Sequence, residues 1–175
     1  MNVERLRRSF LLVPASDARR MSASEADGVM LDLEDTVTRG AKPLALDNAV
    51  AALSRGDFGQ KELVVRINAL ATAQGRRDLE VIAAARPHAV CLPKIGAVAD
   101  LLRADRAVVE IEATHRLEPE AIRLYVMIGT ASGVSHAAGI ARSSPASTPC
   151  STTAATTSER RRRCPRPSGA SSSTR

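Results

Sequence analysis

Short apolar runs alternate along the chain with longer stretches in which apolar residues recur at helical spacing. Phe10 to Val13 reads as a first strand, and Asp17 to Glu25 carries helix formers behind Ser16, an N-cap candidate. Val29 to Val37, VMLDLEDTV, follows an apolar start with Asp32, Glu34 and Asp35. Alternation along a strand over 29–34 predicts Asp32 and Glu34 on one face and Leu31 and Leu33 on the other, with Asp35 just past the strand end. Pro43 opens a helix through Leu53 that Gly56 ends. Leu63 to Ile67 is a third strand, and a helix from Gly75 to Ala85 stops before Pro87. Ala89 to Leu92 is a fourth strand that delivers Pro93 and Lys94, followed by a helical pattern from Val98 to Ala113. Leu124 to Ile128 and an Ala-rich helix to Ala141 complete about five strand–helix units.

Strict alternation of this kind predicts a parallel sheet with right-handed crossovers, either doubly wound or a (β/α)8 barrel. No GxGxxG or GxxxxGK[ST] follows a strand, which removes the usual nucleotide-binding reading of a doubly wound sheet. Polar residues gather at the strand ends: Asp32, Glu34 and Asp35, then Arg66 and Asn68, then Lys94, then Gly129 and Thr130. In a barrel all of them reach one carboxyl-end mouth, where active sites of that fold lie. Carboxylates are costly to bury unless they hold a cation or are hydrogen-bonded, so the acidic turn suggests a metal or polar site. Each residue also has a plainer role open to it. The acids would cap the next helix in solvent, Arg66 would be a structural partner of Glu34, and Lys94 a solvated loop residue.

Composition narrows the choice. The chain has 175 residues, is 44% hydrophobic and only 2% aromatic, so aliphatic packing carries one domain's core. The net charge of +6 suggests nucleic acid until it is divided by region. Residues 1–142 hold 19 basic and 18 acidic side chains, so the excess sits in the last 33 residues. Cys91, Cys150 and Cys164 are odd in number and form no CxxC pair, which supports neither a disulfide framework nor a zinc site. The apolar run before Pro14 is too short for a signal-peptide core or a membrane span. A cytoplasmic location is the default, with no membrane partner. His88, His115 and His136 lie outside the strand-end group.

RSFLLVPAS at Arg8 to Ser16, LDLEDTV at Leu31 to Val37, VVRINAL at Val64 to Leu70 and LPKI at Leu92 to Ile95 stand in order, with MIGTASGV at Met127 to Val134 beyond them. Together they resemble the citrate lyase beta-subunit group of the HpcH/HpaI aldolase family, over residues 8 to about 145. The resemblance implies an α/β chain forming part of a TIM (β/α)8 barrel, with residues 1–142 as the barrel segment. It implies Mg2+ as cofactor, a homo-oligomer, and a carbon–carbon lyase acting on an acyl-CoA thioester with a small 2-oxo acid as the other fragment. Citryl-, malyl- and citramalyl-CoA are the substrates it suggests. Such cleavage passes through an enolate whose charge a divalent cation stabilises. Arg66 matches the family's substrate arginine and Lys94 the lysine of its LPK segment, so both are expected at the substrate. Asp32, Glu34 and Asp35 match the acidic strand that supports the metal and its waters.

Two departures point to impaired catalysis. The family's segment reads M-I-E-T-A-x-G, with its glutamate a metal ligand, and Gly129 stands at that position. The family's second ligand, an aspartate on the next strand, has no counterpart here. Instead residues 143–175 hold nine Ser, six Thr, six Arg and four Pro without one Val, Ile, Leu, Met, Phe, Tyr or Trp, the composition of a disordered tail. A one-base insertion after the codon for Pro145 is compatible with this change, because the shifted codons for 145–158 can restore an apolar strand and the aspartate motif. The nucleotide sequence downstream of codon 145 decides that expectation. Two other roles compete with the lyase: a partial barrel that joins a full-length paralogue, and a module that binds acidic partners through Arg160 to Arg163. The tail has no aromatic residue for base stacking, which argues against nucleic acid.

Overall fold

The computed structural model describes residues 8–17, 25–56 and 58–143. Its strands are β1 (Phe10–Pro14), β2 (Gly28–Asp32), β3 (Glu62–Arg66), β4 (Ala89–Leu92) and β5 (Arg123–Val126), and its α-helices are α1 (Lys42–Arg55), α2 (Ala73–Ala84), α3 (Val98–Thr114) and α4 (Ala131–Ser143). The strands form one parallel sheet in the order β1-β2-β3-β4-β5. A doubly wound sheet reverses its strand order at a switch point, and this one does not. Sequential order with right-handed crossovers keeps the helices on one face, so the chain forms part of a barrel wall.

Strand alternation sorts the apolar side chains accordingly. Leu31, Val65, Leu92 and Val126 share a core cluster with Ala45, Leu79, Ile82, Leu101 and Ile140 of the helices. Met30, Val64, Ala89, Cys91, Tyr125 and Met127 form a second cluster on the other, concave face. All five residues of β2 and of β3 are buried, as expected of strands covered on both sides. On the concave face Phe10 meets Tyr125 edge-on with ring centroids 6.1 Å apart, and the Tyr125 hydroxyl donates to Glu62 at 2.8 Å.

Helix ends follow the chain's local signals. Pro43 lies in the first turn of α1, and Gly56 closes it at φ 63°, a left-handed conformation that glycine adopts without a Cβ penalty. Thr72 caps α2 by accepting from the Gly75 amide at 3.0 Å. Gly75 brings that helix against the end of β3: a Cβ there would stand 2.3 Å from the Ala69 carbonyl oxygen and 2.4 Å from that of Asn68.

Several boundaries differ from the expected ones. β2 ends at Asp32 and not at 34, because the Asp32 carboxylate accepts the Glu34 amide and turns the chain. β5 covers Arg123–Val126 and not 124–128. Residues 18–24 of the expected helix at 17–25, and residues 144–175 of the expected disordered tail at 143–175, lie outside the described residues, while Ser143 ends α4. Among the described residues no helix is long and apolar enough to cross a membrane.

Candidate functional site

Register brings the predicted residues together. Asp32 and Arg66 are direct partners in the β2–β3 ladder, at the carboxyl ends of their strands. Arg66 donates from Nε to Asp32 Oδ1 and from Nη2 to Asp32 Oδ2, both at 2.6 Å, in a bidentate pair. Asp32 is fully buried and Arg66 is 5% exposed. The alternative reading, Arg66 as a partner of Glu34, is met by a longer ion pair, Nη1 to Glu34 Oε2 at 3.7 Å, which stands beside the tighter pair with Asp32. Nη1 also faces Met127 Sδ at 3.3 Å and Asp35 Oδ2 at 3.9 Å.

Asp32 is saturated. Besides Arg66, it accepts from the Glu34 amide at 2.8 Å, the Thr36 amide at 2.9 Å and the Thr36 hydroxyl at 2.6 Å. Burial alone would raise its pKa, but these hydrogen bonds, from Arg66 first, hold it below the ordinary carboxylate value. Glu34 is the opposite case. It is 7% exposed, and among the described residues neither of its oxygens has a hydrogen-bond donor. Its partner is the ammonium of Lys94, whose Nζ forms an ion pair with Glu34 Oε1 at 2.9 Å. Lys94 also reaches Asp35 Oδ1 at 3.3 Å, and its pKa is raised, chiefly by Glu34.

Below the acidic turn lies a support that the sequence reading did not foresee. Lys42, at the start of α1, donates to the carbonyls of Leu33 at 2.8 Å and Glu34 at 2.9 Å and to Asn68 Oδ1 at 2.8 Å, which uses all its ammonium protons. Asn68 in turn donates to the Leu33 carbonyl at 3.0 Å and to buried Asp78 at 2.6 Å. A lysine beside a first-turn proline reads as a solvated helix start, so no signal in the sequence marked it. Replacing Lys42 with methionine leaves three acceptors short of a donor and should lower the unfolding free energy by about 2 kcal/mol in urea denaturation. A change within experimental error would show the turn holds itself.

The histidines stay outside this group: His88 Nδ1 accepts from the Leu63 amide at 2.9 Å, and His136 Nδ1 lies 3.1 Å from the Gly96 carbonyl. Buried Cys91 has its thiol pushed up to about 12 by desolvation, which makes it unreactive. A groove of about 630 Å³ between α2 and α3 is lined also by Pro93 and Lys94 after β4 and by Ala69 to Ala71 after β3.

A divalent cation needs several converging oxygen ligands. Among the described residues no three His, Cys, Asp or Glu groups are placed to hold one. Asp32 is turned wholly to its donors, and Gly129 brings no side chain. The described residues thus do not fit a complete Mg2+ site.

Part of a parallel barrel wall with a buried arginine and an acidic turn at its mouth is the class of structure these observations define. The chain belongs to the HpcH/HpaI aldolase/citrate lyase family, whose description matches residues 8–149. It is 37% identical over 147 residues to the L-malyl-CoA/beta-methylmalyl-CoA lyase of Rhodobacter capsulatus, covering 81% of this chain and 46% of that protein. It is 35% identical over 137 residues to the (3S)-malyl-CoA thioesterase of Cereibacter sphaeroides, covering 77% and 44%. Among solved structures it resembles the citrate lyase beta subunit of Mycobacterium tuberculosis complexed with oxaloacetate and magnesium, at a TM-score of 0.59 and 31% identity over 77% of this chain and 53% of that one. The chain spans about half the length of the curated relatives it matches. Magnesium accompanies the family, as expected, although the described residues do not assemble a complete site for it.

Proposed function

We propose that the chain is built on a carbon–carbon lyase scaffold for a 3-hydroxyacyl-CoA thioester of the citryl-, malyl- or citramalyl-CoA kind, and that it retains acid recognition while catalysis is impaired. The observation that supports this reading is Arg66. It is buried at the mouth and fixed by Asp32, and Nη1 keeps hydrogen-bonding capacity beyond that pair. A guanidinium held in this way is pre-oriented for the carboxylate of a 2-oxo acid fragment. Lys94, 53% exposed on the rim, adds a second positive group for the same anion. The role expected for Asp32 beside the metal becomes, on this geometry, that of holding Arg66, while Glu34 and Asp35 line the mouth.

A malyl-CoA lyase and a solved relative that holds oxaloacetate favour this reading over an acid-binding tail. Calorimetry with oxaloacetate on the full chain tests it. Binding should occur, and Arg66→Lys should weaken it at least about tenfold by losing the planar fork while keeping the charge. Malyl-CoA cleavage should stay near background. Equal affinity in both proteins removes Arg66 from ligand recognition.

A further inference from the structure

We propose that Met127 is a displaceable stand-in for a ligand's carboxylate: its thioether occupies the one Arg66 nitrogen that Asp32 leaves over, and gives it up when an acid binds. The inference rests on the reading of Arg66 as the acid-recognising group and adds what that nitrogen does in the free protein. Met127 directly follows β5, and its amide donates to the Leu92 carbonyl at 2.9 Å, so its backbone is fixed to β4. The side chain is only 8% exposed and lies on the concave face with Met30, Val64, Ala89, Cys91 and Tyr125.

The nitrogens of the guanidinium have different fates. Nε and Nη2 are held by Asp32 at 2.6 Å. Nη1 has a single hydrogen-bond acceptor among the described residues, Met127 Sδ at 3.3 Å. The carboxylates of Glu34 and Asp35 stand 3.7 and 3.9 Å from it, beyond hydrogen-bond distance. Glu34 is also engaged by Lys94 at 2.9 Å. A charged donor buried at the mouth is thus met by one of the weakest acceptors a side chain offers.

That mismatch is what an exchangeable contact requires. A donor buried with no acceptor carries a desolvation penalty, which the sulfur relieves in part. A carboxylate oxygen makes a charge-assisted bond with the same N–H, roughly twice as strong as a neutral one, so an entering acid displaces the sulfur with a net gain. An amide or carboxylate side chain in the same place would compete with the ligand on nearly equal terms. Methionine also moves cheaply: it is unbranched and flexible, and swings aside while its backbone keeps the contact to Leu92. The sulfur therefore lowers affinity for the acid by a modest factor, and the acid leaves more readily.

Calorimetry with oxaloacetate on the full chain and two variants tests this, because the variants should change affinity in opposite directions. Met127→Leu keeps the volume and removes the acceptor, so binding should tighten by about threefold. Met127→Gln places a strong acceptor beside Nη1, so binding should weaken by about tenfold. A residue that only packs the concave face would weaken binding in both. A second readout uses the wild type itself, labelled with methyl-13C methionine. The Met127 resonance, assigned by its loss in Met127→Leu, should shift with oxaloacetate while that of Met30 stays. Any other ordering of the three affinities, or bound oxaloacetate with the Met127 methyl unmoved, overturns the role of Met127 and leaves Arg66 recognition standing. No binding by any of the three proteins removes Arg66 recognition, and this inference falls with it.

Discussion

Arg66→Met should lower the unfolding free energy by about 3–5 kcal/mol, because it strands a buried carboxylate. Asp32 is fully buried and both of its oxygens face Arg66 at 2.6 Å. The attraction within such a pair only offsets the desolvation of its members, so the intact pair adds little, while the broken pair exposes the whole penalty. The double variant Asp32→Leu with Arg66→Met should therefore recover much of the loss, which a simple loss of packing would not allow.

The pH dependence has opposite signs in the two proteins. In the wild type the Asp32 pKa is depressed, so its contribution is present above the unfolded value of about 3.9 and is lost as pH falls through the lower folded value. In Arg66→Met the carboxyl loses its largest favourable partner and burial pushes its pKa up. The penalty is then present at neutral pH and fades as acid protonates the group. The stability gap between the proteins should be widest near neutral pH and shrink in acid. A gap independent of pH would mean that the cost of Arg66→Met is packing against Met127 and not stranded charge.

The same pair shows what could be read from sequence. Alternating apolar runs were enough to place the strands and the helices α1 to α4, because each element's periodicity is local. That Asp32, Glu34, Asp35, Arg66 and Lys94 meet follows from strand ends sharing one edge, and they do meet. Which carboxylate takes the arginine depends on register: Asp32 and Arg66 stand opposite each other only because Gly28 pairs with Glu62 at the start of the ladder. Glu34 was expected in the strand, but the Asp32 side chain captures its amide and ends the strand before it. Lys42 was invisible for a further reason, since its partners are backbone carbonyls, which every sequence carries.

Gly129→Glu should give the chain a measurable Mg2+ site, with affinity raised about tenfold to a hundredfold over the wild type. The structure gives the substitution room: a Cβ at Gly129 meets nothing within 4 Å, and the residue is exposed. Its φ is not positive, since among the described glycines only Gly56 and Gly59 are, so a side chain adds no backbone strain. The position follows β5 two residues after Met127, whose sulfur lies 3.3 Å from Arg66 Nη1, and this sets the new carboxylate at the mouth. One more negative charge near a divalent ion is worth several kcal/mol at an effective dielectric of about 20, reduced by the water the ion must lose. Lys94 still opposes the ion, so adding Lys94→Met to Gly129→Glu should raise affinity further. Thermal unfolding should be nearly unchanged without metal and shift upward with millimolar Mg2+, as linkage requires of a ligand that binds only the folded state. Calorimetric titration that finds the same Mg2+ affinity in wild type and Gly129→Glu would show that the end of β5 does not point its side chain at the mouth, and would detach Gly129 from the family's ligand position.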